Sequence, residues 1–243
     1  MRVLLLPVFG DQGFEARLAA TVLLAREFAA HLIFCAPVAA STDNLRALAE
    51  ARAGSGGVAS TWVEMPRHDA AAFAERAQLT DLLILPARWR PSEPQAPAPA
   101  DIAVRAPVPA LILPQTGLIQ IPRVILVAWK ERTPAAANAL RAALPFLKRA
   151  NEVVVATIGR DSGRSPDVAP VDYLAWHGIS ASHRALPRVG PVADTVRAEA
   201  ERIGADLIVM GAYGRGLWTE QAFGGVTQRL MDGDDIALLL SRA

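Results

Sequence analysis

The 243-residue chain says much the same thing twice. The apolar run "RVLLLPVF" at Arg2–Phe9 returns as "RVILVAWK" at Arg123–Lys130. Each is followed by an alanine-rich stretch, "FEARLAATVLLAREFAA" in the first copy and "PAAANALRAALPFLKRA" in the second. A second apolar run comes next, "HLIFCAPV" against "NEVVVATI". Later, "DLLILPA" (Asp81–Ala87) answers "DLIVMGA" (Asp206–Ala212), and the copies close on "VPALILP" and "DIALLLS". A unit of ~120 residues present only twice is too long and too few for a solenoid, whose short units bury their faces against neighbours. Each copy is long enough to enclose a core of its own.

The apolar runs are short and continuous, without alternation, which suits strands buried on both faces of a parallel sheet. The stretches between them are long enough for helices. Leu18, Val22 and Leu23 share one helical face. "VADTVRAEAERIGAD" behaves similarly, with Gly204 where a helix C-terminus favours positive φ. Strand alternating with helix predicts βαβ units and right-handed crossovers. The predicted fold is therefore α/β, with two tandem open parallel five-stranded sheets flanked by helices. The predicted domains are residues 1–117 and 122–243, joined across "PQTGLIQIP", a short linker marked by Pro and Gly.

Composition removes several function classes. A chain 52% hydrophobic and 20% charged is not a disordered one. A net charge of +1 leaves no electrostatic footprint for nucleic acid or an anionic membrane. No apolar run reaches the ~20 residues of a membrane span. The opening "MRVLLLPVFGDQ" lacks the long apolar core of a secretory signal. Cys35, the only cysteine, lies in an apolar run and reads as a buried structural thiol in a reducing compartment. The expectation is a soluble cytoplasmic protein with neither a nucleic-acid nor a membrane partner. His31, His68, His177 and His183 are scattered without metal-ligand spacing, and no G-x-S-x-G elbow occurs. No catalytic or metal-binding residue is assigned. Trp129, Trp176 and Trp218 either frame a pocket mouth or are simply half-buried.

The copies part company after the fourth strand. There the first has "PARWRPSEPQAPAPADIAVRA" and the second "GAYGRGLWTEQAFGGVTQRLM". No glycine occurs between Val58 and Thr116, and five prolines fall within Pro86–Pro99. Proline has no N–H to offer a phosphate and fixes φ, so this segment is expected to be a stiff, extended plug. In the second copy Gly211 and Gly214 follow the strand, and nine residues separate Gly214 from Gly224, which Gly225 follows. Glycine lets backbone approach a ligand closely. The helix predicted over "VTQRLM" would present amides and a favourable dipole to an anion. Arg215 would add a charge-assisted contact. Open α/β sheets bind ligands beyond the carboxyl ends of their strands, where this loop lies. It is no P-loop, since no Gly-Lys-Ser/Thr follows, and only part of the Rossmann fingerprint is present. The same glycines also fit a plain strand end and helix start.

The G-x2-G-x9-G pattern after "DLIVM" resembles the universal stress protein family, and the duplication resembles its double-domain members. The resemblance spans essentially the whole chain, most clearly from Arg123 to Arg242. It implies an adenine nucleotide α-hydrolase-like, Rossmann-like fold. It also implies ATP or another adenine nucleotide at one site per chain. In that site Gly211, Gly214 and Gly224 would line the phosphates and ribose, and Gly225 and Val226 would offer amides. Ala128, Trp129 and Lys130 would lie at the tip of the first strand. Two positions depart from the nucleotide-binding pattern. A Ser or Thr usually follows the last motif glycine; here it is Gly225, with Thr227 two residues later. An Asp usually ends the first strand; here it is Lys130, and in the first copy Phe9, with Asp11 two residues on. Lysine accepts no hydrogen bond but can meet a phosphate as a point charge. The implied function is a stress-response or regulatory module without turnover chemistry. Its halves would pair within the chain, with a further homodimer and an unspecified protein partner possible in principle. Two alternatives stay open: a nucleotide-free structural or interaction module, and an ATP-splitting enzyme of the related α-hydrolase class, for which Glu220 is the nearest carboxylate.

Overall fold

The computed structural model describes residues 1–38, 43–67, 69–88, 97–131, 133–159, 169–212, 225–232 and 235–242. The chain divides into two compact units, Met1–Ile121 and Pro122–Ala243. The first runs β1 (Val3–Pro7), α1 (Phe14–Phe28), β2 (His31–Pro37), α2 (Asp43–Ser55), β3 (Ser60–Met65), α3 (Ala70–Arg76), a 3-10 turn (Ala77–Leu79), β4 (Leu82–Pro86), α4 (Pro99–Arg105) and β5 (Ala110–Leu113). Its strands lie in the order β3-β2-β1-β4-β5, every pair parallel. The second runs β6 (Val124–Trp129), α5 (Pro134–Leu147), β7 (Glu152–Ile158), α6 (Pro170–Trp176), β8 (Ser182–Leu186), α7 (Val192–Ile203), β9 (Leu207–Gly211), α8 (Gly225–Asp232) and β10 (Ala237–Ser241). Its order, β10-β9-β6-β7-β8, is the same and again all parallel. In each unit the chain winds outward from its first strand, then returns to add strands on the other side. The switch point falls between β1 and β4, and between β6 and β9, the place where doubly wound sheets bind ligands beyond the carboxyl ends.

The continuous apolar runs are the central strands. Leu4, Leu5 and Leu6 of β1, Leu82–Leu85 of β4 and Leu207–Val209 of β9 are buried. Helices on both faces leave these strands no solvent side, which is why no alternation appears in their sequence. Burying each leucine stabilises the fold by about 1.5–3 kcal/mol. The outer strands differ: β3 is half-exposed and β8, "SHRAL", is exposed along most of its length. Polar and charged residues suit an edge that must not pair with other chains.

The duplication reaches individual hydrogen bonds. The Asp81 carboxylate accepts from the amides of Arg2 and Val3, and Asp206 accepts from Arg123 and Val124. Each aspartate immediately precedes the fourth strand of its unit and ties it to the start of the first. The Arg2 guanidinium donates to the Ala29 carbonyl at 3.3 Å, and that of Arg123 to Arg149 at 3.0 Å, each closing the helix that follows the first strand. At the opposite sheet end, the Ala87 N–H reaches the Leu113 carbonyl at 2.8 Å, and Ala212 reaches Ser241 at 2.8 Å.

The start of the linker belongs structurally to the first unit. Gly117 has φ +71°, and a Cβ there would lie 2.5 Å from the backbone oxygen of Ala16 on α1. The chain therefore lies directly against α1 at Gly117, and only a glycine fits so close. Among the described residues, no helix is long and apolar enough to cross a membrane.

Candidate functional site

In the second unit β6 and β9 are neighbours, with Ala128 beside Met210, so Gly211 lies at the same sheet end as Trp129. Ala128 and Trp129 are half-buried and Lys130 is exposed. The chain turns there into α5, and the Thr133 hydroxyl holds the turn by donating to the Lys130 carbonyl at 2.8 Å. The lysine's carbonyl is thereby engaged, while its ammonium faces solvent as a point charge. Gly211 has its own reason to lack a side chain. A Cβ would lie 2.5 Å from the Ala136 nitrogen and 2.6 Å from the Ala135 carbonyl carbon. The start of α5 rests directly on the last residue of β9.

After β9, the described chain resumes at Gly225, the first residue of α8. The first turn of α8 carries no acidic residue. Its positive dipole end is therefore not neutralised by its own sequence. Thr227, Leu230 and Met231 are buried and fall on one helical face, so Thr227 occupies the core-facing stripe. Val226 is half-buried. The far end of α8 is anchored by Arg197 of α7, which donates to the carbonyls of Arg229 and Leu230 at 3.2 and 3.1 Å. Arg229 also approaches Asp194 at 3.7 Å, an exposed pair worth under about 1 kcal/mol. Gly214, Arg215 and Gly224 of the expected site lie outside the described residues, as do Trp218, Glu220 and His68.

The same places in the first unit are filled. Val3 and Val124 open the two first strands, so Phe9 stands where Lys130 does. Phe9 is buried and packs on Phe73 of α3, ring centroids 5.4 Å apart. Two residues on, Asp11 forms a fork with Arg17 of α1: Nη1 to Oδ2 is 3.0 Å and Nη2 to Oδ1 is 2.5 Å. The side chains are 2% and 4% exposed for Arg17 and Asp11 respectively. The Gly13 amide adds a third donor to Asp11 at 3.2 Å. Helix α4 starts with Pro99, which has no N–H, and carries Asp101 in its first turn. The Asp101 amide is already bonded to the Ala98 carbonyl at 2.9 Å. Both the missing amide and the carboxylate disfavour an anion there. Residues 89–96 of the proline segment lie outside the described residues. Sequence reasoning missed the Asp11–Arg17 fork. Its signal was an arginine one residue before Leu18, on the stripe of α1 that buries mostly apolar side chains.

Other sequence candidates take ordinary places. Cys35 is fully buried, and burial pushes its thiol up to about 11 against the pull of Arg76, which leaves it inert. His31 bonds Thr61 at 2.8 Å, His183 bonds Thr157 at 3.1 Å, and His177 packs edge-on to Tyr173. Trp176 is exposed at the end of α6. Among the described residues, no group of His, Cys, Asp or Glu is arranged to hold a metal ion.

Residues 122–240 match the sequence model described as the Universal stress protein family. In fold, the whole chain is similar to a universal stress protein from Archaeoglobus fulgidus DSM 4304, with a TM-score of 0.78 and 13% identity over 99% of this chain and 98% of that one. It is also similar to a functionally unknown protein from Pseudomonas aeruginosa PAO1, with a TM-score of 0.68 and 16% identity over 100% of this chain and 92% of that one. At these identities the likeness concerns fold. No curated protein sequence is significantly similar to the chain.

Proposed function

We propose, from the premise that the second half of this chain belongs to the universal stress protein family, that the protein is a tandem stress-response module with one ligand site per chain, in residues 122–243. One observation carries the reading: the strand tips of the first half are filled by Phe9, Phe73 and the Asp11–Arg17 fork, whereas the second half has an exposed lysine and a helix start free of acidic residues. The ligand is ATP or another adenine nucleotide. Its phosphates meet the backbone amides of Gly225, Val226 and Thr227, with Lys130 and Arg215 supplying positive charge. Gly214 and Gly224 themselves add no side chain against the phosphates. The half-buried faces of Ala128 and Trp129 offer the base an apolar surface. No carboxylate ends β6, so affinity comes mainly from the phosphates.

Calorimetry with ATP, ADP and adenosine at fixed ionic strength tests this. ATP and ADP should bind in roughly the micromolar range or more weakly. Adenosine should bind hardly at all, because a lost hydrogen bond to a buried group costs about 1–3 kcal/mol, or roughly 5- to 150-fold. Gly214→Val should abolish ATP binding, and Lys130→Asp should weaken ATP while improving adenosine. Adenosine binding as tightly as ATP would refute the phosphate-centred site. If neither binds at roughly millimolar concentration, a nucleotide-free interaction module becomes the better reading. The proposal also includes cytoplasmic residence, which the single buried thiol of Cys35 favours. It further includes pairing of the halves through their apolar closing segments. Separately produced halves that are soluble and ignore each other would sink that part.

A further inference from the structure

We propose that Asp11 is a built-in ligand: its carboxylate occupies an anion-binding cradle formed by Arg17 and the Gly13 amide, and so shuts the first half to external anions. The cradle has the donor set that captures free carboxylates and phosphates. A guanidinium gives two parallel N–H bonds, at 3.0 and 2.5 Å, and an amide just before a long helix gives a third at 3.2 Å. That helix, α1, has 15 residues and carries Glu15 in its own first turn, so the Arg17 guanidinium supplies most of the attraction. Arg17 is wholly enclosed, with its guanidinium 5.7 Å from the Phe14 ring centroid. Its Nε finds no acceptor among the described residues, so the carboxylate carries nearly all of its compensation. A guanidinium so buried cannot shed its proton and must be paired with an anion. Within six residues the chain supplies both the receptor and the occupant. An anion tethered by the backbone outcompetes free ones, because its effective concentration exceeds theirs. Second-half ligand binding is not required for this inference, and its failure would leave the inference standing.

Asp11→Ala deletes a group the size of formate, so formate is the probe, with inorganic phosphate as a larger one. The variant should unfold roughly 10 °C below the wild-type chain, since it strands a buried cation. At about 50 mM, sodium formate should raise the midpoint of Asp11→Ala by several degrees relative to sodium chloride of equal ionic strength, a salt-matched comparison that removes screening. It should leave the wild type and the Asp11→Ala/Arg17→Met double variant unchanged. Phosphate should rescue less than formate if the space fits only the lost carboxylate, and equally if the cradle admits a larger anion; either pattern supports the site. If Asp11→Ala is recovered only as aggregate, soluble yield on refolding in formate against chloride gives the same readout. Formate acting equally on all three proteins, or on none, would overturn the proposal.

Discussion

In the first half the strand tips end against side chains, with Phe9 on Phe73 and Asp11 in the grip of Arg17. In the second they end at a glycine tucked under a helix and a lysine open to solvent. The strand order, the aspartate that ties the fourth strand to the first, and the bond from the residue after the fourth strand are the same in both. The aspartate ties lie at the amino ends of the strands and one shared backbone bond per half lies at the carboxyl ends, where the side-chain differences cluster. Changes at the carboxyl ends leave the ladder and the core intact, so one half can close its crevice without altering its fold. That separation is why open α/β sheets tolerate gain and loss of ligand sites.

The largest expected effect concerns the closed half. Arg17→Met should leave the buried Asp11 carboxylate without its guanidinium and cost about 3–5 kcal/mol in urea denaturation. Asn138 stands three residues after Ala135 as Arg17 stands three after Phe14, and only donates to the Arg242 carbonyl and accepts from Arg141. Asn138→Ala should cost about 0.5–1.5 kcal/mol. Equal losses would mean that the fork is no more important than an ordinary hydrogen bond.

A smaller contrast sets Gly211 against Pro86, which hold matching places beside Ser241 and Leu113. Gly211→Ala drives a methyl into the backbone of α5 and should cost about 1–3 kcal/mol. Pro86→Ala mainly frees the unfolded chain and should cost about 0.4–1 kcal/mol. If Gly211→Ala is tolerated yet abolishes nucleotide binding, the glycine serves the ligand more than the packing.

The smallest effect tests what the halves share. Asp81→Asn and Asp206→Asn should each cost about 1 kcal/mol, and about equally. For Asp81, burial acts to raise the carboxyl, but the Arg2 and Val3 amides and the nearby N-terminal charge outweigh it and hold it below its ordinary 3.8. A carboxyl depressed on folding contributes stability above its unfolded value, lost as pH falls through the folded one. Asp81→Asn should therefore flatten the acid limb of the stability profile below about pH 4.

How much was legible in the sequence varied with the range of the interactions. Continuous runs such as "LLIL" marked buried parallel strands, because burial on both faces is local to the strand. Gly204 marked the end of α7, where it takes φ 64°, because the left-handed turn is a one-residue requirement. The roles of Asp81 and Asp206 were hidden, since each accepts from amides some eighty residues away in sequence. Arg17 was hidden although its partner is six residues away: Asp11 appeared only as a displaced acceptor, and the fork needs the turn between β1 and α1. Gly211 was legible as a special position but its packing against Ala135 and Ala136 was not. Gly214, Arg215 and Gly224 rest on glycine spacing and family resemblance.

The central claim is that one half is open and the other closed. Calorimetric titration of the full chain with ATP, at protein concentrations near the dissociation constant or above, measures it most directly. The expected result is one site per chain, abolished by Gly214→Val. Two sites per chain, or a single site that survives Gly214→Val, would contradict it.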